Sequence, residues 1–280
     1  MSMLRRFIQC DVFSAVPTQG NALAVVLDGE GLSDAQMQAF ARWTNLAETT
    51  FLFAPTTPEA DYKVRIFTPS SEMPFAGHPT LGSCMSWLRA GGSPRLNGLV
   101  RQECAIGLID VDVSSDIPAF VAPPAKIQSM AGPERARITR QLNIPDDQIC
   151  AAVRLENGSV WQVLELSSAA AVLDVDATRV RRPEFKSIGL IGKQSRDAGT
   201  DYEVRMLAPS SGMSEDPVTG SLNAALACWL QGQNRLGPET TIAQGTCVNR
   251  TGRVRIRTDK TGKILIGGAV QFLIEGTVDL

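Results

Sequence analysis

Residues 61–73, D-Y-K-V-R-I-F-T-P-S-S-E-M, align without gaps to residues 201–213, D-Y-E-V-R-M-L-A-P-S-S-G-M, and eight of the thirteen positions are identical. After a two-residue adjustment, His78-Pro-Thr-Leu-Gly-Ser83 lies against Asp216-Pro-Val-Thr-Gly-Ser221 with the Pro, the Gly and the Ser in common. Further on, Q-E-C-A-I-G-L-I-D-V-D-V from Gln102 loosely echoes Q-G-T-C-V-N-R-T-G-R-V-R-I-R from Gln244. A period of about half the chain excludes a solenoid and predicts a duplicated unit.

The repeated unit has a readable structure. Y-K-V-R-I-F and Y-E-V-R-M-L alternate apolar and polar residues, as half-buried strands do. A P-S-S turn follows, then a loop, then Pro79 or Pro217, where a missing N–H is tolerated at a first helical position. Beyond Pro79, Leu81, Cys84, Met85 and Leu88 fall at helical spacing, and Gly91-Gly92 ends the helix. Beyond Pro217, S-L-N-A-A-L-A-C-W-L is apolar on nearly every face, which predicts a helix buried all round. Gly82, Ser83, Ser86, Gly220, Ser221, Ala224 and Ala225 would let strands approach both helices closely. The expected fold is therefore α+β: two pseudo-symmetric lobes, each a curved, mostly antiparallel sheet wrapped around a central helix.

The other segments fit that plan. F-I-Q-C-D-V-F and N-A-L-A-V-V-L read as a strand pair, and Asp34 to Asn45 as an amphipathic helix with Ser33 as its N-cap. N-L-A-E-T-T-F-L-F runs into another strand, and residues 264–278 supply one or two closing strands. V-A-P-P-A-K-I-Q at 121–128 is the candidate linker, so the lobes divide as 1–124 and 125–280, with the last strand free to cross back to the first lobe.

A length of 280 residues, 44% hydrophobic and 20% charged, is ordinary for a globular chain. The net charge of −2 gives no support to nucleic-acid or anionic-membrane partners. No apolar run is long enough for a membrane helix, and M-S-M-L-R-R-F-I-Q-C-D lacks the apolar core of a signal peptide. The six cysteines show no C-x-x-C spacing, so reduced, cytoplasmic thiols are expected. No set of four N/S ligands can be assembled for zinc, and no metal is expected.

His78 is the only histidine, and the duplication sets it against Asp216. Each stands before a proline expected to open a central helix. If the lobes face one another across a pseudo-twofold axis, two helix N-termini converge on one cleft with unpaired amides and partial positive charge. A small anionic metabolite is the natural guest. Gly77, Gly82 and Gly220 would admit it near the backbone, while Ser83 and Ser221 would offer hydroxyls. The plain alternatives are a capping Asp216 and serines that merely fit a tight interior.

E-M-P-F-A-G-H-P-T-L-G (Glu72–Gly82), E-D-P-V-T-G-S (Glu215–Ser221), N-L-A-E-T-T-F (Asn45–Phe51) and D-V-F…G-N-A-L-A-V-V (Asp11–Val26) together resemble the PhzF-like phenazine-biosynthesis family, from end to end of the chain. The resemblance implies the two-lobed diaminopimelate-epimerase fold, a homodimer, and a cofactor-independent isomerase that moves a proton within a dihydro-hydroxyanthranilate ring. The shuttling glutamate of that family falls on Glu48. His78 and Asp216 fall on substrate-contacting partners, joined by the Gly77 and Gly220 amides and the Ser221 hydroxyl. By its local pattern alone, Glu48 would be a solvated carboxylate at a helix-to-strand corner. Its apolar neighbours could instead desolvate it and raise its pKa.

Racemases of this fold use paired cysteines at the two helix ends. Here Gly-His-Pro and Glu-Asp-Pro stand there, which disfavours an amino-acid racemase or epimerase. Thr18, Ala22 and L-N-A-A-L (Leu222–Leu226) depart from the family's common form and bear on pocket shape. Three other readings compete. A non-catalytic small-molecule-binding or interaction protein could retain the cleft. A serine hydrolase built on Ser221 lacks the G-x-S-x-G elbow. A nucleotide enzyme lacks a phosphate loop.

Overall fold

The computed structural model describes residues 3–209 and 211–280. Its elements run β1 (Leu4–Val12), β2 (Asn21–Val26), α1 (Asp34–Thr44), β3 (Glu48–Phe53), β4 (Tyr62–Phe67), β5 (Glu72–Met73), α2 (Gly77–Arg89), β6 (Leu99–Cys104), β7 (Gly107–Asp112) and β8 (Ala119–Val121). There follow β9 (Lys126–Ser129), α3 (Gly132–Leu142), β10 (Ile149–Glu156), β11 (Val160–Leu166), α4 (Ala169–Leu173), β12 (Ile188–Lys193), β13 (Tyr202–Leu207) and β14 (Glu215–Asp216). The chain closes with α5 (Gly220–Gln231), β15 (Glu239–Gln244), β16 (Gly252–Thr258), β17 (Ile264–Gly267) and β18 (Val270–Asp279).

The duplication in the sequence is a duplication of strand pairing. Antiparallel β1–β2, parallel β2–β3, antiparallel β3–β4 and β4–β5, and parallel β4–β6 each recur nine strands later. The same holds for β6–β7 and β7–β8. β18 runs along β1 as β9 runs along β10. The two sets join where β8 pairs with β17, so one continuous, mostly antiparallel sheet forms two pseudo-symmetric lobes.

Each lobe wraps one helix. In α5, ten of the twelve residues are buried, as its all-round apolar sequence requires. Leu81 and Cys84 of α2 and Leu222 and Ala225 of α5 belong to one apolar cluster that also holds Val12, Val64, Val163 and Val204. The core is thus shared by both lobes. The remaining helices pack outside. Met37 and Phe40 of α1 cover Phe51 and Phe67, and Ile138 of α3 with Val172 of α4 covers Leu164 and Leu190. Ser33 caps α1 in a full capping box with Gln36.

Three local expectations change. Pro79 is the third residue of α2, and Pro217 lies three residues ahead of α5, so neither opens its helix. β13 is buried along its whole length rather than on one face, because Arg205 finds Glu215 at 2.7 Å inside the protein. Of the expected linker 121–128, only residues 122–125 lie outside strands. The second P-S-S turn includes Ser210, and the expected absence of a signal peptide draws on Met1 and Ser2. These three residues lie outside the described ones.

The helix starts touch backbone to backbone. A Cβ on Gly77 would stand 2.6 Å from the Gly220 Cα and 2.7 Å from the Ser221 amide nitrogen. One on Gly220 would stand 2.9 Å from the Gly77 Cα. No L side chain fits between two backbones at that distance. Gly77→Ala is expected to cost about 2 kcal/mol or more, the scale of forced overpacking. Gly132→Ala, whose added Cβ meets nothing within 4 Å, should change stability by less than about 0.5 kcal/mol. Urea midpoints of the two variants check this.

Candidate active site

Hydrogen-bond register shows which residues of the two lobes correspond. Glu72 pairs with Phe67 and Met73 with Ile66, while Glu215 pairs with Leu207 and Asp216 with Met206. Asp216 is therefore the counterpart of Met73, Gly77 of Gly220, and His78 of Ser221. The alignment of His78 with Asp216 by their following prolines is corrected. The loop before β14 is three residues longer than that before β5, and the sequence match absorbed this in the wrong place. His78 and Asp216 nevertheless come together, one from the first turn of α2 and the other from the end of β14.

The cavity at the meeting of the lobes is lined by Glu48, Gly77, His78, Asp216, Thr219, Gly220 and Ser221, with Met73, Ala76, Ser159, Trp161, Arg182, Ser187, Met206, Pro209 and Ser211 completing its walls. Neither α2 nor α5 has a side-chain N-cap. The first-turn amides of both, which precede any intrahelical acceptor, meet at this cavity.

Glu48 opens β3 and turns its carboxyl inward, leaving its side chain 13% exposed. Its Oε2 lies 3.2 Å from His78 Nε2. The two atoms do not meet in hydrogen-bonding geometry, and both are buried without any other partner among the described residues. Behind them stands Asn21 at the start of β2. Its Nδ2 donates to Asp216 Oδ1 at 3.0 Å and to the Val218 carbonyl at 2.9 Å, and it lies 3.3 Å from His78 Nδ1. A backbone carbonyl can only accept, so Asn21 presents its NH₂ here, with both hydrogens directed to Asp216 and Val218. That NH₂ cannot accept a hydrogen bond, so a proton on His78 Nδ1 would face another donor, and the contact favours the tautomer with its proton on Nε2, facing Glu48. Thr219 Oγ1 donates to Asp216 Oδ2 at 2.5 Å, and Gln244 Nε2 reaches the Asp216 carbonyl at 3.3 Å.

Burial sets the protonation. It raises Glu48 well above the usual carboxyl range, with Asp216 as a second, electrostatic cause. Burial also raises Asp216 to about 6, against the opposing hydrogen bonds from Thr219 and Asn21. His78 is pulled down to about 3 by burial alone. Both shifts disfavour an ion pair at the close Glu48–His78 contact, because each group loses more by desolvation than it gains from the other. Among the described residues, no three His, Cys, Asp or Glu side chains gather into a metal site.

The Phenazine biosynthesis-like protein (PhzC-PhzF) family model matches residues 10–276. The chain belongs to that family. Antisense-enhancing sequence 1 of Schizosaccharomyces pombe is 33% identical over 96% of this chain and 97% of its own length. Trans-2,3-dihydro-3-hydroxyanthranilate isomerase of Pseudomonas fluorescens is 31% identical over 88% of each chain. A Bacillus anthracis phenazine biosynthesis protein of the PhzF family superposes with a TM-score of 0.82 at 20% identity, covering 99% of both chains. The hydroxyproline epimerase of Agrobacterium vitis shares the fold, with a TM-score of 0.64 at 12% identity over 99% of this chain and 93% of that one.

Within this member of the family, Glu48, His78, Asp216, Gly77, Gly220 and Ser221 all line one cavity. Ser83 does not. Its hydroxyl donates to Thr50 Oγ1 at 2.9 Å inside the first lobe. Gly82 packs against Leu23 and Cys10, because both residues sit on faces of α2 turned to the sheet. Cys84 is fully buried within α2, with burial raising its thiol pKa, so no thiolate reaches the cavity from that helix. Two contributors escaped the sequence reading. Asn21 was visible only as the Asn of the quoted G-N-A motif, and Arg182 had no motif at all.

The lone histidine makes a clean test. His78 should remain the neutral Nε2–H tautomer from pH 8 down to about pH 4 in imidazole ¹⁵N spectra, titrating near 3. A depressed histidine binds fewer protons folded than unfolded, so its contribution to stability is full above about pH 6.5 and is lost as pH falls toward 3. Asp216, raised from 3.8 to about 6, acts in the opposite sense between those two values. His78→Gln should therefore flatten the acid-side fall in urea midpoint measured below pH 5.

Proposed function

We propose that this chain is a cofactor-independent isomerase that moves a proton between carbons of a small carboxylate-bearing metabolite, a class that includes dihydro-hydroxyanthranilate-like ring acids. The observation that carries this reading is the solvent-shielded Glu48 carboxyl, with one oxygen free of any hydrogen bond among the described residues, facing the cavity beside His78 Nε2. The Pseudomonas fluorescens relative, a trans-2,3-dihydro-3-hydroxyanthranilate isomerase, supports the same chemistry.

In this reading, Glu48 is the acid and base. A carboxyl group raised by burial is a stronger base when ionised and remains a competent acid when protonated. It takes a proton from an activated carbon and returns it to another carbon on the same face of the substrate. His78, held as the Nε2–H tautomer through Asn21, donates to a substrate oxygen or nitrogen and stays neutral throughout. Asp216 orients an amine or hydroxyl, and its charge keeps the Glu48 proton from leaving too easily. The amides of Gly77, Gly220 and Ser221 receive the substrate carboxylate adjoining the reacting carbon, where two helix dipoles favour negative charge.

The division into lobes 1–124 and 125–280 belongs to this proposal, each lobe supplying one helix end. So do a cytoplasmic setting, supported by six free cysteines, and a homodimer. Exposed Leu273 and Ile274 on β18, which pairs with β1 alone among the described residues, support a dimer. No described helix is long and apolar enough to cross a membrane.

The test is exchange of solvent deuterium into substrate during turnover, screened over ring carboxylates. Glu48→Gln should reduce exchange by at least about 100-fold, the lower range for loss of a general acid-base group, with the circular dichroism spectrum retained. Exchange that survives in the variant would remove Glu48 from the mechanism.

A further inference from the structure

The pseudo-twofold axis makes every feature of the first lobe's half of the cavity a question about the second. In the first lobe, Thr49 pairs with Phe67, and the residue before it, Glu48, is the buried acid. In the second, Ile188 pairs with Leu207, the counterpart of Phe67, and the residue before it is Ser187. Ser187 thus occupies the symmetry-related position of Glu48 and lines the same cavity. At that position the proton-transfer group is replaced by a hydroxyl held by a cation. Arg182 Nη2 donates to Ser187 Oγ at 3.2 Å, and Arg182 Nε donates to the Ala208 carbonyl at 3.2 Å.

Arg182 is the only lysine or arginine among the described residues lining the cavity. No described carboxylate lies within ion-pair distance of it, although Arg6, Arg65, Arg89 and Arg101 all have such partners. Partial burial lowers its pKa with no acid to oppose the shift. Two of its five N–H groups are committed to Ser187 and Ala208, which leaves Nη1 and the second hydrogen of Nη2 along the outer edge of the fork. Both residues that hold the guanidinium have left-handed backbones, with φ of 51° at Ser187 and 53° at Ala208. The Ser187 amide also donates to the Ala208 carbonyl. Strain at two non-glycine residues is retained where it fixes one side chain. On the wall of the same cavity, Ser211 Oγ is buried without a hydrogen-bond partner among the described residues.

We infer that Arg182, Ser187 and Ser211 form a second anion subsite, which receives a carboxylate of the substrate remote from the carbon on which Glu48 acts. The substrate class is then a dianion, with one acid group at the paired helix ends and another on the guanidinium fork. Arg is suited to this because its remaining edge presents two parallel donors to a carboxylate. The inference deepens the isomerase reading and rests on it for the position of the first carboxylate.

Equilibrium binding of two unreactive probes, glutarate and butyrate, tests the subsite without turnover. Wild-type protein is expected to bind glutarate at least about tenfold more tightly than butyrate, the weight of one charge-assisted pair. Arg182→Ala should abolish that preference while leaving butyrate affinity unchanged, and Arg182→Lys should keep the packing but recover only part of it. Equal binding of the two acids by wild-type protein would overturn the subsite even if the variants fail to fold. A preference that survives in Arg182→Ala would also overturn it. Loss of the isomerase reading would appear separately, as unchanged deuterium exchange in Glu48→Gln, with the glutarate preference still present.

Discussion

The two lobes meet at a backbone contact between Gly77 and Gly220, and the cavity exists because neither residue has a side chain. Two helices can aim their amide-rich ends at one cavity only if their first residues have no side chains, since a Cβ on either would lie within 3 Å of the other's backbone. From that contact the lobes spread as two equivalent sheets sharing one apolar core. The arrangement places backbone donors of two helix starts around a small space that buries the side chains entering it. Acidic side chains entering that space keep their protons longer than they would in water.

Symmetry of fold and asymmetry of chemistry coexist because pairing register and side-chain identity are independent. At three matched positions the lobes carry different groups: Glu48 against Ser187, Met73 against Asp216, and His78 against Ser221. One half of the cavity collects an acid and an imidazole, and the other collects hydroxyls and a guanidinium. Asp216 crosses that division. It belongs to the second lobe by chain but reaches Asn21 of the first, and through it the ring of His78. A duplicated module has thereby become a cavity with two chemically different ends.

Much of the architecture was legible in the sequence, for physical reasons. The repeated strand, the all-round apolar helix and the Ser33 cap each follow from local periodicity or capping chemistry. The return of the last strand to the first lobe was expected, but its choice of β1 and their register were not, because long-range pairing leaves no local signal. The wrong match of His78 with Asp216 has the same origin: a loop three residues longer shifts a helix start without disturbing the Pro-x-x-Gly-Ser pattern. Local spacing also assigned Ser83 to the cavity, whereas the helical phase turns it to Thr50. Arg182 was invisible because its role depends on Ser187 and Ala208, which tertiary structure alone brings to it.

Everything proposed for the cavity turns on Glu48 being a buried carboxyl of raised pKa at the meeting of the lobes. Carboxyl ¹³C titration of glutamate-labelled protein, with the Glu48 signal assigned by its disappearance in a Glu48→Gln difference spectrum, measures this directly. The expected midpoint lies well above 4.5 and moves down when Asp216 is replaced by Asn, since Asp216 is one cause of the elevation. A Glu48 signal that titrates at the ordinary glutamate value and ignores residue 216 would contradict it.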